Sequence, residues 1–371
     1  RLTDVWVRTQ IEGERALVSI RTTIDSLVTE AARLEMTLYQ EGSDEVVARA
    51  DVDHLLQRGA TSATALISVD EPNLWWPNGE GGQPLYRVRV ELRPSRDAEP
   101  AWDEMSERFG IRTLRAVGNP GSPEGALPYT LEVNGRRIFI RGWNWVPIDI
   151  ALGVERPQKL RRLLALAKEA NVNLVRVWGG GTIEKEAFYR LCDEHGILVW
   201  QEFLQSSSGI SNWPSRDESF VRLMESEARA IVPRRRNHPS LAIWCGGNEL
   251  KGANHIPLDD SDPVLAAIKR VIDELDPERL WLPTSPSGPE FGNSLEAIEK
   301  APESLHDVHG PWEHQGPVDH YTLYNAGTAL LSSEFGVEGM TNWRTLTRTI
   351  GEEYRLPVST ENKVYHHLGA W

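Results

Sequence analysis

The 371-residue chain has only two cysteines, Cys192 and Cys245, each in an apolar run. Neither has metal-ligand spacing, which excludes a disulfide framework and a thiolate zinc site. No apolar run approaches the roughly 18 residues a membrane helix needs, and no signal-like segment opens the chain. The chain starts at Arg1 rather than Met, which leaves room for a removed leader; the two thiols favour the cytoplasm over secretion. Basic charge is also short. With 40 Lys and Arg against 54 Asp and Glu the formal net charge is −14, which argues against nucleic acid or an anionic membrane surface as the main partner. A neutral ligand is compatible with that balance.

Tryptophan is abundant: 14 residues, against 7 Phe and 8 Tyr. An indole packs its apolar face on the C–H side of a sugar ring and offers an N–H to a hydroxyl, so the excess hints at carbohydrate, although a large core also takes up Trp.

The length predicts two domains. Residues 1–117 read as a β-sandwich: "VWVRTQI", "RALVSIRTTI", "RLEMTLYQ", "ALISVD", "LYRVRVEL" and "ERFGIRTLRAV" are short runs, many alternating apolar and polar, between turns. "EPNLWWPNGEGGQPLY" is a turn, because Pro72, Pro77 and Pro84 forbid a central strand. A Gly/Pro-rich linker, residues 118–128, follows.

From residue 129 to 371 strands alternate with helices. "RRIFIRGWNWVP" reads as one strand, followed by a helix with Pro157 in its first turn, then "VNLVRVWGG", a helix closed by Gly196, and "ILVWQEFL". A helix interrupted near Pro233 leads to "LAIWCGGNEL"; another helix, then "LWLPTSP", "HDVHGPW" and "ALLSSEFG" complete seven strands. Such alternation means a parallel sheet buried on both faces, as an open doubly wound sheet or a (β/α)8 barrel. No glycine-rich phosphate loop follows the first strand, and polar or aromatic residues end nearly every strand, which favours the barrel.

Glu249 and Glu334 end the fourth and seventh strands, which face each other across a barrel mouth. Two facing carboxylates are the apparatus of glycoside hydrolysis; the plainer alternative is a pair of rim salt bridges. Arg176 could hold a carboxylate ionised or pair with a structural acid. Trp143, Trp145, Trp178 and Trp312 could wall a sugar ring or fill core. His306, His309, His314 and His320 cluster in sequence, but without the spacing of a tight metal site. Cys245 has no evident histidine partner and reads as a buried structural thiol.

In this order, "PNLWWPNGEGGQPLY", "VNGRRIFIRGWNWVP", "NLVRVWGGG", "WQEF", "HPSLAIWCGGNE", "DVHGPW" and "SEFG" resemble glycoside hydrolase family 2, most closely its β-mannosidase branch. The resemblance implies an immunoglobulin-like sandwich followed by a (β/α)8 barrel, and a retaining exo-acting hydrolysis that needs no metal or other cofactor. It implies Glu249 as acid/base, Glu334 as nucleophile, Asn248 on the sugar 2-hydroxyl and Arg176 orienting the nucleophile. Trp178, His309 and Trp312 match positions lining the terminal-sugar subsite, and Trp143, Asn144 and Glu202 join them as substrate-binding candidates. The branch often carries Asp where this chain has Glu202 and a Trp in the loop after Glu249, where there is none. Another β-glycoside (galactoside, glucuronide or internal mannosyl linkage) and a non-catalytic sugar-binding chain are the alternatives. "VYHHLGAW" gives no convincing eighth strand, so the barrel is expected to be open, with a second copy or companion domains completing it.

Overall fold

The computed structural model describes residues 1–95, 100–206, 212–252, 255–336 and 341–356. An immunoglobulin-like sandwich occupies the chain up to Phe109. Its strands are β1 (Leu2–Glu12), β2 (Arg15–Ser26), β3 (Glu30–Gln40), β4 (Val46–Leu56), β5 (Gly59–Asp70), β6 (Tyr86–Pro94) and β7 (Asp103–Phe109). One sheet runs β1-β2-β5 and the other β4-β3-β6-β7, all pairs antiparallel. Alternation does the work: Val18, Ile20 and Ile24 of β2 and Leu34, Met36 and Leu38 of β3 point inward and are buried. Each contributes about 1.5–3 kcal/mol.

Strand β4 escapes the sequence reading. Its inward positions begin with the small Ala48 and Ala50, go on to Val52 and His54 and end at buried Leu56, with Arg49, Asp51 and Asp53 between them. Charges suit this strand because it is the edge of its sheet, where they discourage pairing with another chain.

Two segments that read as single strands are each broken. "ERFGIRTLRAV" divides at Gly110, where a Cβ would meet Pro239 and Trp75 at 2.9 Å. The chain there passes between the two halves, and β8 (Leu114–Val117) pairs with β9 (Thr130–Val133) instead of a sandwich strand. "RRIFIRGWNWVP" divides into β10 (Arg136–Ile138), the antiparallel partner of β9, and β11 (Gly142–Trp145). Asn173 makes that break: its side chain takes the Arg141 N–H at 2.9 Å and donates to the Phe139 carbonyl at 2.9 Å.

The barrel strands are β11, β12 (Leu174–Val177), β13 (Leu198–Glu202), β14 (Leu241–Cys245) and β15 (Leu280–Leu282) in one parallel sheet, then β16 (Asp307–His309) parallel to β17 (Leu331–Glu334). Helices α1 (Pro157–Glu169), α2 (Glu186–His195), α3 (Glu218–Arg235) and α4 (Pro263–Leu275) cover the outside, so β12, β13 and β14 are buried along their length. The predicted break near Pro233 does not occur: α3 runs through it to Arg235. The lost hydrogen bond lies in the last turn, where Arg235 binds Glu186 at 3.0 Å and Arg236 binds the Leu275 carbonyl at 3.0 Å. The segment read as lacking an eighth strand lies outside the described residues.

Residues 236–240 fasten sandwich to barrel. Asn237 accepts from the Val7 N–H at 3.0 Å and donates to the Val5 carbonyl at 2.7 Å, while Arg112 donates to the carbonyls of Pro239 and Leu241. Buried Asp193 of α2 meets His238 at 2.7 Å, Ser240 at 2.6 Å and Arg108 of β7 at 3.2 Å. Burial alone would lower the His238 pKa, but Asp193 and Glu186 outweigh it and raise it to about 9. A folded-state value above the unfolded one gives stability that is complete below about pH 6.5 and lost as pH rises through about 9, on the order of 3 kcal/mol. The melting temperature should therefore fall more steeply across that window in the native chain than in His238→Gln; equal slopes would remove His238 as the cause.

Candidate active site

The barrel mouth collects the ends of β11, β12, β13, β14, β16 and β17. Arg176, only 2% exposed, is the hub. Its Nε donates to Glu202 at 2.8 Å, one terminal nitrogen to both Asn144 and Glu334 at 2.9 Å, and the other to Asn248 at 2.5 Å. Desolvation pulls its pKa down, but the carboxylates of Glu202 and Glu334 push it well above the ordinary arginine value, so it stays a cation.

Glu202 lies beneath the site. It is fully buried, with one oxygen on Arg176 and the other accepting the Gly179 N–H at 2.7 Å. Burial raises its pKa despite Arg176 and Gly179. Gly179 is required for this approach, since a Cβ there would sit 2.5 Å from the Gln205 carbonyl. The thiol of Cys245 rests 3.7 Å from the same carboxylate, and burial raises its pKa well above the ordinary thiol value; it is a structural group.

Glu334 has both oxygens engaged: Oε2 by Arg176, and Oε1 by the Trp312 indole N–H at 2.8 Å. A bulge aims it. Val308 pairs with Ser332 but His309 pairs with Glu334, so Ser333 is the extra residue. Glu249 sits beyond β14 with φ 54, a left-handed conformation unusual for a residue with a Cβ, held by its N–H on the Ser285 carbonyl at 2.6 Å. Its Oε1 lies 3.1 Å from His309 Nδ1.

One oxygen of Glu249, one of Glu334 and a ring nitrogen of His309 all lie within 4.8 Å of one another. That spacing could bridge a cation, but the Arg176 guanidinium already neutralises Glu334 and would repel one. It also suits two carboxylates acting on one sugar carbon, for which retention asks about 5–5.5 Å. A cavity of about 760 Å³ lined by Trp143, Asn144, Arg176, Trp200 and Glu334 opens on the flank between β17 and β11.

Of the residues singled out in the sequence, Arg176, Glu202, Asn144, Asn248, Trp312 and Glu334 form one hydrogen-bonded cluster, the bonded pair Glu249 and His309 stands beside it with His309 Nδ1 3.8 Å from Glu334, and Trp143 lines the adjoining cavity. Trp178 is half-buried at the end of β12, its backbone N–H on the Trp145 carbonyl at 3.1 Å. Trp145 is core and donates to Glu184. The other histidines stay apart: His306 contacts the Glu303 carbonyl, and His314 stacks on His320. Ser285, whose hydroxyl lies 3.0 Å from His309 Nε2, and Ser333, 2.9 Å from that hydroxyl, carry no signal of their own in the sequence beyond standing at strand ends.

Two family profiles match. Glycosyl hydrolases family 2 covers residues 1–112, and Glycosyl hydrolases family 2, TIM barrel domain, covers residues 129–282. Beta-mannosidase B of Neosartorya fischeri is 28% identical over 373 residues, 95% of this chain and 42% of that protein. Beta-mannosidase B of Thermothelomyces thermophilus is 34% identical over 251 residues, 67% of this chain and 28% of that protein. The crystal structure of Beta-D-Mannosidase from Dictyoglomus thermophilum superposes with a TM-score of 0.80 at 29% identity, covering 95% of this chain and 42% of the other. The chain thus spans less than half the length of these relatives.

Proposed function

The chain belongs to glycosyl hydrolase family 2, and from that premise we propose that it hydrolyses a terminal β-linked mannoside with retention of configuration. The observation that carries the reading is the pair Glu249 and Glu334, with oxygens within 4.8 Å and only the second paired to a buried guanidinium. Glu334 is the nucleophile. Arg176 donates to its carboxylate at 2.9 Å, and a carboxylate lone pair forms a bond to the anomeric carbon while the glycosidic C–O bond breaks. Glu249 gives its proton to the departing oxygen. In the second half it takes a proton from water, whose oxygen bonds the same carbon and releases the Glu334 carboxylate.

Asn248 has its carbonyl oxygen on Arg176, which leaves its amide group, now on Ser206 at 3.2 Å, to meet a 2-hydroxyl. Trp312 and Trp143, each about half exposed, supply sugar-facing surface. Glu202 contributes through Arg176. Mannose is supported by the named relatives. The test is nitrophenol release from aryl β-mannoside, β-galactoside, β-glucoside and β-glucuronide. Selective cleavage of the mannoside is expected; cleavage of another member would keep the chemistry and discard mannose, and silence would favour sugar binding without turnover.

The reading extends to partners: the flank between β17 and β11, uncovered among the described residues and with Phe139, Trp143 and Phe335 exposed beside it, supports association with a second copy or companion domains. Sedimentation should give a mass above that of one chain; a monomer at high concentration would remove the second copy.

A further inference from the structure

The chain as a whole is acidic, yet one cavity is walled by bases. It measures about 300 Å³ and lies at the entry ends of β14 and β15, the opposite end of the barrel from Glu249 and Glu334. Strand β1, the segment 109–115 that leaves the sandwich, and residues 236–239 and 278–279 enclose it. Five guanidinium groups line it, those of Arg8, Arg112, Arg115, Arg236 and Arg279, against the single carboxylate of Glu278. In a protein of net charge −14 such a gathering of cations is a local feature, and a local field of that sign attracts anions.

Three of the five are balanced by acids outside the cavity wall. Arg236 pairs with Asp4, Arg279 with Asp276 at 2.8 Å and Arg115 with Glu132 at 2.5 Å. Arg8 reaches Glu278 only at 3.5 Å, and both side chains are about half exposed, so it can turn toward another partner. Arg112 is buried, 7% exposed, and its guanidinium meets no carboxylate among the described residues. Nε donates to the Pro239 carbonyl at 2.7 Å and one terminal nitrogen to the Leu241 carbonyl at 2.8 Å. The other terminal nitrogen makes no hydrogen bond among the described residues. Burial, and after it the nearby Arg279, pull the Arg112 pKa down to about 9 despite Asp276, Asp193 and Glu278, so at neutral pH the group is still a cation. A buried charge held only by carbonyl dipoles retains much of its desolvation cost, and an anion beside it would offset that cost.

We propose that this cavity binds one small tetrahedral oxyanion, of the phosphate or sulfate kind, between Arg112 and Arg8, and that the ion fastens the sandwich to the barrel. The two guanidinium groups come from different segments and meet an ion from different sides. That suits oxygens pointing in several directions better than the flat pair of a carboxylate. Two cations against one loosely held acid also favour a dianion. The ion would touch β1 and the Arg112 anchor of residues 239–241 together, so its binding stabilises the junction. None of this depends on the hydrolase reading.

Equilibrium dialysis of the full chain against radiolabelled phosphate at fixed ionic strength should give one ion per chain, displaced by sulfate and not by acetate or chloride. The melting temperature should rise by about 2–4 °C once phosphate reaches about ten times its dissociation constant. Arg112→Gln should abolish binding. Because that change also removes two bonds to the barrel, Arg8→Gln at its half-exposed position decides the matter if the first variant does not fold. It should weaken phosphate binding about tenfold and leave the melting temperature in chloride unchanged. No saturable binding, or displacement by acetate as readily as by sulfate, overturns the site. An affinity in Arg8→Gln equal to that of the native chain places any bound phosphate elsewhere, the Arg176 cluster included, and overturns it as well. So does a rise in melting temperature that chloride reproduces.

Discussion

Glu334→Gln is expected to abolish nitrophenol release from every aryl glycoside the native chain cleaves, a loss of up to about 10⁶-fold, the scale on which removing a covalent nucleophile acts. The substitution keeps the shape of the side chain and removes only the charge and the lone pair that bonds the anomeric carbon. Its surroundings survive: Arg176 keeps Glu202, Asn144 and Asn248, and the Gln carbonyl can still accept from Arg176 or from Trp312. The buried guanidinium loses one of two carboxylate partners, yet Glu202 remains to balance it, so the fold should persist. Circular dichroism and the melting curve check that point separately from activity. Residual turnover within a hundredfold of the native chain would assign the nucleophile elsewhere.

Much of this architecture was legible because period and strand-end chemistry are local. Alternation at Val18, Ile20 and Ile24 announces a sandwich strand, and the apolar run ending in Asn248 and Glu249 announces a buried parallel strand with chemistry at its tip. What escaped depends on partners far along the chain. Nothing near residues 139–141 says that Asn173 will take their backbone groups, and nothing at Gly110 says that Pro239 will press on it. Strand β4 was hidden because Ala and Asp dilute its pattern, and α3 survived Pro233 because Arg235 and Arg236 are held from other elements.

The site divides in the same way. Glu249, Glu334 and Arg176 could be picked out by position, since a charged residue at the end of a buried strand needs a reason. Glu202 could be picked out too, but not its place beneath Arg176, which is set by the Gly179 turn. Ser285 and Ser333 were silent: a hydroxyl at a strand end is common, and only the bulge that inserts Ser333 between two register pairs comes with its hydroxyl 2.9 Å from that of Ser285.

Glu249→Ala should behave quite differently from the nucleophile variant, and the contrast tests the roles more strictly than either loss alone. A poor leaving group, such as the sugar of a disaccharide, needs the proton that Glu249 supplies, so its kcat/KM should fall by about 10²–10⁴-fold. A dinitrophenolate leaves without that proton, so formation of the glycosyl-enzyme should proceed at close to its native rate. The second step still needs Glu249, now as a base toward water, and should become rate-limiting. The glycosyl-enzyme on Glu334 must then accumulate, which predicts a burst of dinitrophenol equal to the enzyme present and a KM lowered together with kcat. Azide, a nucleophile that needs no base, should enter the space left by the side chain and restore turnover, giving a glycosyl azide of the same configuration as the substrate. Equal and complete loss for both leaving groups, with no burst, would mean that Glu249 does not carry the proton. Loss in the disaccharide alone, with azide ineffective, would confine it to the first step.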